Sequence, residues 1–164
     1  MIMKRLTLSE AKRLSEEFSK KIKDPEKRES FILHSKSVVD SAKAIAEGKD
    51  LDLESLEIAG WLHDIGRAVA DEDHPRYSIE LLKDYELNET IKDCILNHGR
   101  ESNPQTKEGR VMRLADKACV LNPDLLREII KQNKGKISEA HIKFLKKNTE
   151  RAIKLLEDFD NSLK

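Results

Sequence analysis

The stretch that decides the fold is Trp61-Leu62-His63-Asp64-Ile65-Gly66-Arg67, in the first half of a chain of 164 residues. It begins as the end of an apolar helix, and Gly66 indicates that the helix stops there. Adjacent helical residues point about 100° apart, so His63 and Asp64 meet one ion only at their shared edge or where the helix ends. The stretch is therefore interpreted as an apolar helix followed by two metal ligands, a turn and a cationic side chain.

Capping and turn signals on both sides of this stretch divide the chain into helices. Thr7 and Glu10 have the spacing of a capping box, which predicts a helix over about 8–22. Further helices are expected over about 25–48, 52–66, 75–85, 88–99, 108–121, 123–135 and from 138 onward, with a polar loop at 100–107. Because no stretch alternates cleanly with period two, the sequence predicts an all-α bundle of seven or eight helices in one domain, residues 1–164.

Composition limits the classes of protein to which the chain can belong. Charged and apolar residues each make up 38%, and apolar positions recur throughout, so a folded core is expected. No apolar run approaches the roughly 18 residues of a membrane span, and the N-terminus lacks a signal-peptide pattern, which predicts a cytoplasmic protein. Net charge is zero, but residues 31–130 are acidic between two basic ends. Duplex nucleic acid is therefore not an expected partner.

Several residues are interpreted as structural rather than functional. Cys94 and Cys119 form neither a disulfide framework nor a cysteine-based zinc site, and both are expected to be inert core thiols. The helices that flank residues 30–122 carry no recognised site motif. His141, in the last of them, is expected at the surface.

Polar residues stand on apolar helix faces at four places. His34, His63, His98 and Asp116 each share a face with aliphatic residues, and Asp64 follows His63 directly. A single histidine in such a position is usually a satisfied core residue, but an unpaired buried carboxylate costs several kcal/mol. One shared cation would neutralise the carboxylates and accept the imidazole lone pairs, so the five residues together predict a metal site inside a helix bundle.

These residues resemble the ligands of the HD-domain metal-dependent phosphohydrolases. The order His34 … His63-Asp64 … Asp116 matches the H…HD…D pattern of that family, and the sequences LHDIG at 62–66 and LADKA at 114–118 are typical surroundings. The resemblance covers about residues 30–122. It implies an HD-domain helical bundle that holds divalent metal.

His74 and His98 extend the resemblance to the six-ligand, two-metal subset of the family. In that pattern His34, His63 and Asp116 would hold one metal, His74 and His98 the other, and Asp64 would bridge both. The subset includes hydrolases of symmetrical dinucleoside polyphosphates, cyclic-dinucleotide phosphodiesterases and a few di-iron oxygenases. Arg67 stands where the phosphodiesterases often have lysine, and no GYP motif follows, which argues against cyclic dinucleotides.

The resemblance implies hydrolysis of a phosphate ester, a phosphomonoester or phosphodiester that is expected to belong to a nucleotide. One or two ions of iron, manganese, nickel, cobalt or zinc suit these ligands, and a metal-bound hydroxide would attack phosphorus. Asp64 and Arg67 are the expected catalytic residues. Arg67, Lys117, Arg100 and Arg110 are candidate phosphate ligands, although Arg100 and Arg110 also fit a solvated loop, and Lys117 is expected to point about 100° away from Asp116.

Two other functions use the same residues. A di-iron oxygenase would need the same six ligands together with redox-active iron and dioxygen. A regulatory module would bind nucleotide without turnover, but the complete ligand set weighs against it. The sequence leaves the substrate, the native metal and the oligomeric state open.

Overall fold

The helices of this protein begin at polar caps. In the computed structural model, which describes residues 2–99, 101–132, 134–157 and 159, seven side chains each accept a hydrogen bond from a backbone N–H of the first helical turn. These caps are Thr7, Asp24, Asp52, Asn88, Thr106, Asn122 and Ser138. Each satisfies a donor that the helix itself leaves without a partner, so the side chains set where the helices begin.

The described residues form eight α-helices, two short 3-10 segments and two short strands. The helices are α1 (Leu8–Ser19), α2 (Pro25–Ala46), α3 (Leu53–Leu62), α4 (His74–Leu81), α5 (Glu89–Leu96), α6 (Lys107–Ala118), α7 (Pro123–Gln132) and α8 (Glu139–Glu157). The 3-10 segments are Ile65–Ala68 and Cys119–Leu121, and the strands are β1 (Lys4–Arg5) and β2 (Tyr85–Glu86). The prediction of an all-α bundle of seven or eight helices is confirmed.

The structure departs from the sequence prediction at several helix ends and in the strands. Helix α3 stops at Leu62, and a 3-10 segment follows where the helix was expected to continue to Gly66. Helix α4 ends at Leu81, and α6 begins at Lys107 within the expected loop because Thr106 caps it. Strands β1 and β2 pair in parallel, and two-residue strands are too short to show a period in the sequence.

Helix α3 lies at the centre of the bundle. It contacts α1, α2, α5 and α6, and α2 contacts α6 and α7. The largest fully buried apolar side chains are Leu56, Leu62, Ile65, Leu82, Ile95, Met112 and Leu114. His63 is as fully buried as these residues, so a polar ring lies inside the apolar core. No helix formed by the described residues combines the length and the apolar character needed to cross a bilayer.

The turn after α3 packs tightly against the start of α4. A Cβ atom on Gly66 would lie 2.6 Å from the backbone nitrogen of Ser78 and would collide with the carbonyl oxygen of His74. The Ser78 hydroxyl accepts a hydrogen bond from Gly66 N (2.8 Å) and donates one to His63 O (2.9 Å). These contacts hold His63 and Asp64 beside His74.

The buried carboxylate of Asp93 in α5 anchors the segment that leads into α6. It accepts hydrogen bonds from the backbone nitrogens of Gln105 and Thr106, the Thr106 hydroxyl and the Asn97 amide, at 2.6 to 3.1 Å. Burial would raise the pKa of Asp93, but these hydrogen bonds outweigh it and hold the pKa below its ordinary value. The carboxylate thereby fixes the start of α6 relative to α5.

Replacing Asp93 with asparagine should destabilise the fold. The amide cannot accept all of these hydrogen bonds, so we expect Asp93→Asn to lower the free energy of unfolding by about 2 kcal/mol at pH 7. Urea denaturation measures this difference. The exposed Asp50 provides the control, and Asp50→Asn should be close to neutral.

The effect of Asp93→Asn should depend on pH. Because the pKa of Asp93 is depressed in the folded state, its stabilisation is present above the ordinary carboxyl pKa and is lost as pH falls through the folded-state value. The difference between wild type and variant should therefore shrink from pH 7 to pH 3. A difference that stays constant over this range would contradict the assignment.

Candidate metal centre

Four histidines bring their Nε2 atoms together inside the bundle. His34 lies in α2, His63 directly follows α3, His74 begins α4, and His98 follows α5. The Nε2 atoms of His34 and His63 are 3.3 Å apart, and those of His74 and His98 are 3.1 Å apart. Four separate elements therefore present imidazole nitrogens to one small volume.

Backbone carbonyls set the tautomer of three of these rings. The Nδ1 atoms of His63, His74 and His98 each lie within hydrogen-bond distance of a carbonyl oxygen. The acceptors are Gly60 O (2.8 Å), Asp71 O (2.9 Å) and Ile95 O (2.6 Å). A carbonyl only accepts hydrogen bonds, so each Nδ1 carries a proton, and Nε2 is the nitrogen that faces the cluster and binds a metal when it is unprotonated.

The fourth ring is held by a sulfur atom. His34 Nδ1 lies 3.7 Å from Cys119 Sγ, and that thiol donates a hydrogen bond to Asp116 O (3.2 Å). Cys119 is fully buried, as expected for a core thiol. Its contact with His34 is one that the sequence did not predict.

Two carboxylates complete the cluster, one buried (Asp64) and one partly buried (Asp116). Asp64 Oδ1 lies 3.0 Å from His74 Nε2, 3.4 Å from His98 Nε2 and 3.6 Å from His63 Nε2. Asp64 Oδ2 lies 3.6 Å from His34 Nε2. Asp64 thus lies between the two pairs of histidines. Its role as a bridge between two metals stays a prediction.

Asp116 lies beside the first pair of histidines. Its Oδ1 is 3.3 Å from His34 Nε2 and 3.5 Å from His63 Nε2. Lys117 was expected to point away, but its ammonium group contacts the Asp116 carboxylate. Burial would raise the pKa of Asp116, and the two imidazoles and the lysine charge hold it well below its ordinary value.

The charge on Asp64 is also stabilised by its surroundings. Burial would raise its pKa, but the rings of His63, His74 and His98 and the guanidinium of Arg67 outweigh burial and lower the pKa well below the usual carboxyl range. Asp64 therefore carries a negative charge in the interior. Its Oδ1 is buried and has no hydrogen-bond partner in the part of the chain that the structure describes.

The cluster fits a divalent cation. Without a metal, the facing Nε2 atoms and the two carboxylates are compatible only when protons lie between them. A divalent cation replaces those protons and binds the imidazole nitrogens and the carboxylate oxygens together. Two groups have ligand atoms within 4.8 Å of one another: His34 with His63 and Asp116, and His63 with Asp64 and His98. The first is the predicted set for one metal. The second contains Asp64 and His98 of the predicted second set, together with His63. His74, the remaining member of that set, lies 3.0 Å from Asp64 Oδ1.

Arg67 braces Asp64. Its Nε donates to Asp64 Oδ2 (2.9 Å), and a terminal nitrogen lies 3.3 Å from Asp71 Oδ1. Arg110 lies on α6 about 9 Å along the axis from Asp116, and it is not among the described residues that line the cleft beside the cluster. Arg100 lies outside the described residues, so its predicted role stays a prediction.

The cluster opens into a cleft of about 720 Å³. His34, Asp64 and Asp116 are on its wall together with Arg67 and Lys117, and residues of α7 and α8 also line it. The α8 residues on the cleft are Ala140, His141, Phe144, Lys147, Asn148 and Arg151.

The contribution of α8 was missed in the sequence. His141 was expected at the surface, but it lies on the cleft wall. Asn148 stands on an apolar face with Leu145 and Ala152, which is the same signal that identified the candidate ligands. Applied to α8, that signal would have found this wall.

A comparison with family models identifies residues 31–120 as an HD domain, which is more than half of the chain. The chain belongs to the HD domain family. The matched range contains all six candidate ligands and ends at the last residue but one of the 3-10 segment that follows α6.

Curated relatives of this HD-domain protein include ribonucleases Y. The ribonuclease Y of Aquifex aeolicus is 30% identical over 122 residues, which are 73% of this chain and 20% of that protein. The ribonuclease Y of Thermoanaerobacter pseudethanolicus is 31% identical over 122 residues, which are 73% of this chain and 22% of that protein. The chain thus spans about a fifth of the length of these relatives.

A solved structure has the same fold. The crystal structure of a predicted HD superfamily hydrolase from an uncultured Thermotogales bacterium aligns with a TM-score of 0.59 at 18% sequence identity. The alignment covers 98% of this chain and 95% of that one. The likeness therefore includes the helices outside residues 31–120.

Removing single ligands should change the metal content of the purified protein in steps. We expect His98→Ala to lower the bound metal by about one equivalent per protein. Asp64 lies between the two pairs of histidines, so Asp64→Ala should lower the metal content further. Elemental analysis after gel filtration measures the content, and circular dichroism checks that the helices remain.

His141→Ala is the matched control. His141 is the one histidine of the chain outside the cluster, and its Nδ1 lies 2.8 Å from Ser138 Oγ. This variant should keep the wild-type metal content. Full metal occupancy in Asp64→Ala would rule out the proposed site.

Proposed function

We propose that this HD-domain protein is a metal-dependent phosphohydrolase that cleaves a phosphomonoester or phosphodiester bond of a nucleotide. The observation that carries the proposal is the cluster of four imidazoles and two carboxylates, which opens into a cleft with cationic side chains. No nucleophilic serine or cysteine is needed for this chemistry.

The ligand atoms favour a transition metal. Nitrogen and carboxylate oxygen without thiolate suit iron, manganese, nickel, cobalt or zinc better than calcium. When bound, such an ion supplies a water-derived nucleophile at neutral pH and positive charge against phosphoryl oxygens. His34, His63 and Asp116 would hold one ion, His74 and His98 a second, and Asp64 would contact both.

The protein's own residues fix the geometry of this centre. Carbonyl hydrogen bonds to Nδ1 keep His63, His74 and His98 oriented with Nε2 toward the cluster. Arg67 holds one oxygen of Asp64 through Nε, so the other oxygen stays directed at His74 and His98. In this proposal Asp64 is the ligand shared by both ions, and Arg67 positions it at the edge of the cleft.

The charge of the cleft favours an anionic substrate. Five cationic side chains and two carboxylates line it. The cations are Lys27, Arg67, Lys117, Lys147 and Arg151. With the carboxylates of Asp64 and Asp116 committed to the metal, a phosphate group would meet a positive surface.

The relatives support cleavage of a phosphate ester and suggest a second kind of substrate. Ribonuclease Y is named for action on RNA, whose backbone is a phosphodiester. The acidic middle of this chain argues against duplex nucleic acid. The substrate screen therefore needs both mononucleotides and single-stranded RNA.

Phosphate release tests the proposed activity. The purified protein, supplied with manganese under anaerobic conditions, should hydrolyse at least one nucleotide, phosphodiester or short RNA in a screen with phosphate or fragment detection. Asp64→Asn should reduce turnover by about 10³-fold or more, because it removes a charge shared by both ligand groups. Turnover that requires dioxygen would instead support an oxygenase, and full turnover in Asp64→Asn would exclude the mechanism.

Arg67 should affect catalysis through Asp64. We expect Arg67→Ala to lower kcat/KM for the best substrate about 10- to 100-fold, since groups that orient metal ligands contribute on this scale. Arg76→Ala is the matched control: this exposed arginine pairs with Asp73 and Glu80, away from the cleft, and its loss should leave kcat/KM unchanged. Equal kinetics in Arg67→Ala and wild type would remove Arg67 from the site.

A further inference from the structure

The residues of α7 and α8 that line the cleft form a wall that supplies none of the candidate metal ligands. Four buried apolar side chains line the same cleft: Leu125 and Ile129 from α7, Phe31 from α2, and Val120. These side chains are 3–8% exposed, so they form a packed apolar surface rather than a loose rim. A phosphate group alone gains nothing from such a surface, but an organic group attached to it would be desolvated there.

Phe144 of α8 differs from these residues in its exposure. It lines the same cleft, yet 51% of it is exposed. An aromatic side chain beside an apolar wall offers a surface on which a planar ring can stack. Stacking of a nucleobase on an aromatic side chain tolerates every base, because each base has a π-face.

Asn148 adds a polar group one turn further along α8. It is 7% exposed and lines the cleft, and its Nδ2 donates to Phe144 O (2.9 Å). This hydrogen bond fixes the side chain against its own helix. A side-chain amide offers both a donor group and an acceptor oxygen, the combination that recognises the edge of a base.

Cationic residues accompany both side chains on the same helix. Lys147 and Arg151 line the cleft one turn apart. The metal ligands on the cleft come from α2, from α6 and from the turn after α3, whereas the aromatic and amide groups come from α8. A cleft lined by both sets of groups suits a ligand that carries both a phosphate and a planar ring.

We infer that the wall formed by α7 and α8 binds the base of the substrate, and that Phe144 and Asn148 determine its selectivity for nucleotides over sugar phosphates. The inference rests on the proposed function, since it assigns the second half of the same cleft. It makes Phe144 a stacking surface and Asn148 the group that distinguishes one base from another.

Calorimetry with ligands that resist hydrolysis tests this inference. The probes are the four ribonucleoside 5′-methylenephosphonates, whose phosphorus–carbon bond is not cleaved, and the corresponding ribose 5-methylenephosphonate without a base. The metal-loaded wild type should bind at least one nucleoside probe about tenfold or more tightly than the ribose probe. Phe144→Ala should remove most of that difference and leave the affinity for the ribose probe unchanged.

Two further variants sharpen the test. Ile142→Ala is the matched control, because Ile142 lies on α8 with 53% exposure and is not among the described cleft residues. Its affinity for every probe should equal that of the wild type. Asn148→Asp should change the order of affinity among the four bases, because the carboxylate has no donor group.

The outcomes separate this inference from the proposed function. Equal binding of nucleoside and ribose probes by the wild type would overturn the inference, as would an equal loss for both probes in Phe144→Ala. If the protein hydrolyses phosphate esters but shows one of these two binding results, the proposed function stands and the assigned role of the α7 and α8 wall is wrong. A protein that binds bases selectively and cleaves no phosphate ester supports the wall and overturns the proposed activity.

Discussion

The negative charge of Asp64 inside the bundle constrains the rest of the structure. A carboxylate taken out of water is destabilising by several kcal/mol unless cations or donors surround it. Here three imidazoles and one guanidinium hold its pKa well below the usual range. Their elements must therefore meet at one point, which explains why α3 ends one residue before His63 and why α4 begins at His74.

Contacts remote from the ligands keep these elements in place. The absence of a side chain at Gly66 lets the turn after α3 approach α4, and the Ser78 hydroxyl links the two. Asp93 likewise links α5 to the segment before α6 by accepting hydrogen bonds from Thr106. Because ligand geometry tolerates only small displacements, such packing contributes to the centre as much as the ligands do.

The sequence predicts the helices, and it singles out the six polar residues that the structure brings together, because both leave local signals. Caps such as Thr7, Asp24 and Asn88 mark helix starts, and His34 or Asp116 on an apolar face is conspicuous. The pairing of β1 with β2 and the contact between Lys117 and Asp116 depend on distant segments or on side-chain rotamers, which no local pattern encodes. Phe144 was overlooked because a phenylalanine in an amphipathic helix is ordinarily a core residue.

Helix α8 lines the cleft without contributing any of the six candidate ligands. In the proposed function, catalysis therefore depends on residues 34–116, and residues 140–151 contribute to recognition of the base. Substitutions in residues 140–151 can change which substrates bind in the cleft while all six candidate metal ligands are kept. Under this division, a lineage of such proteins can acquire new substrates through a series of variants that all retain activity.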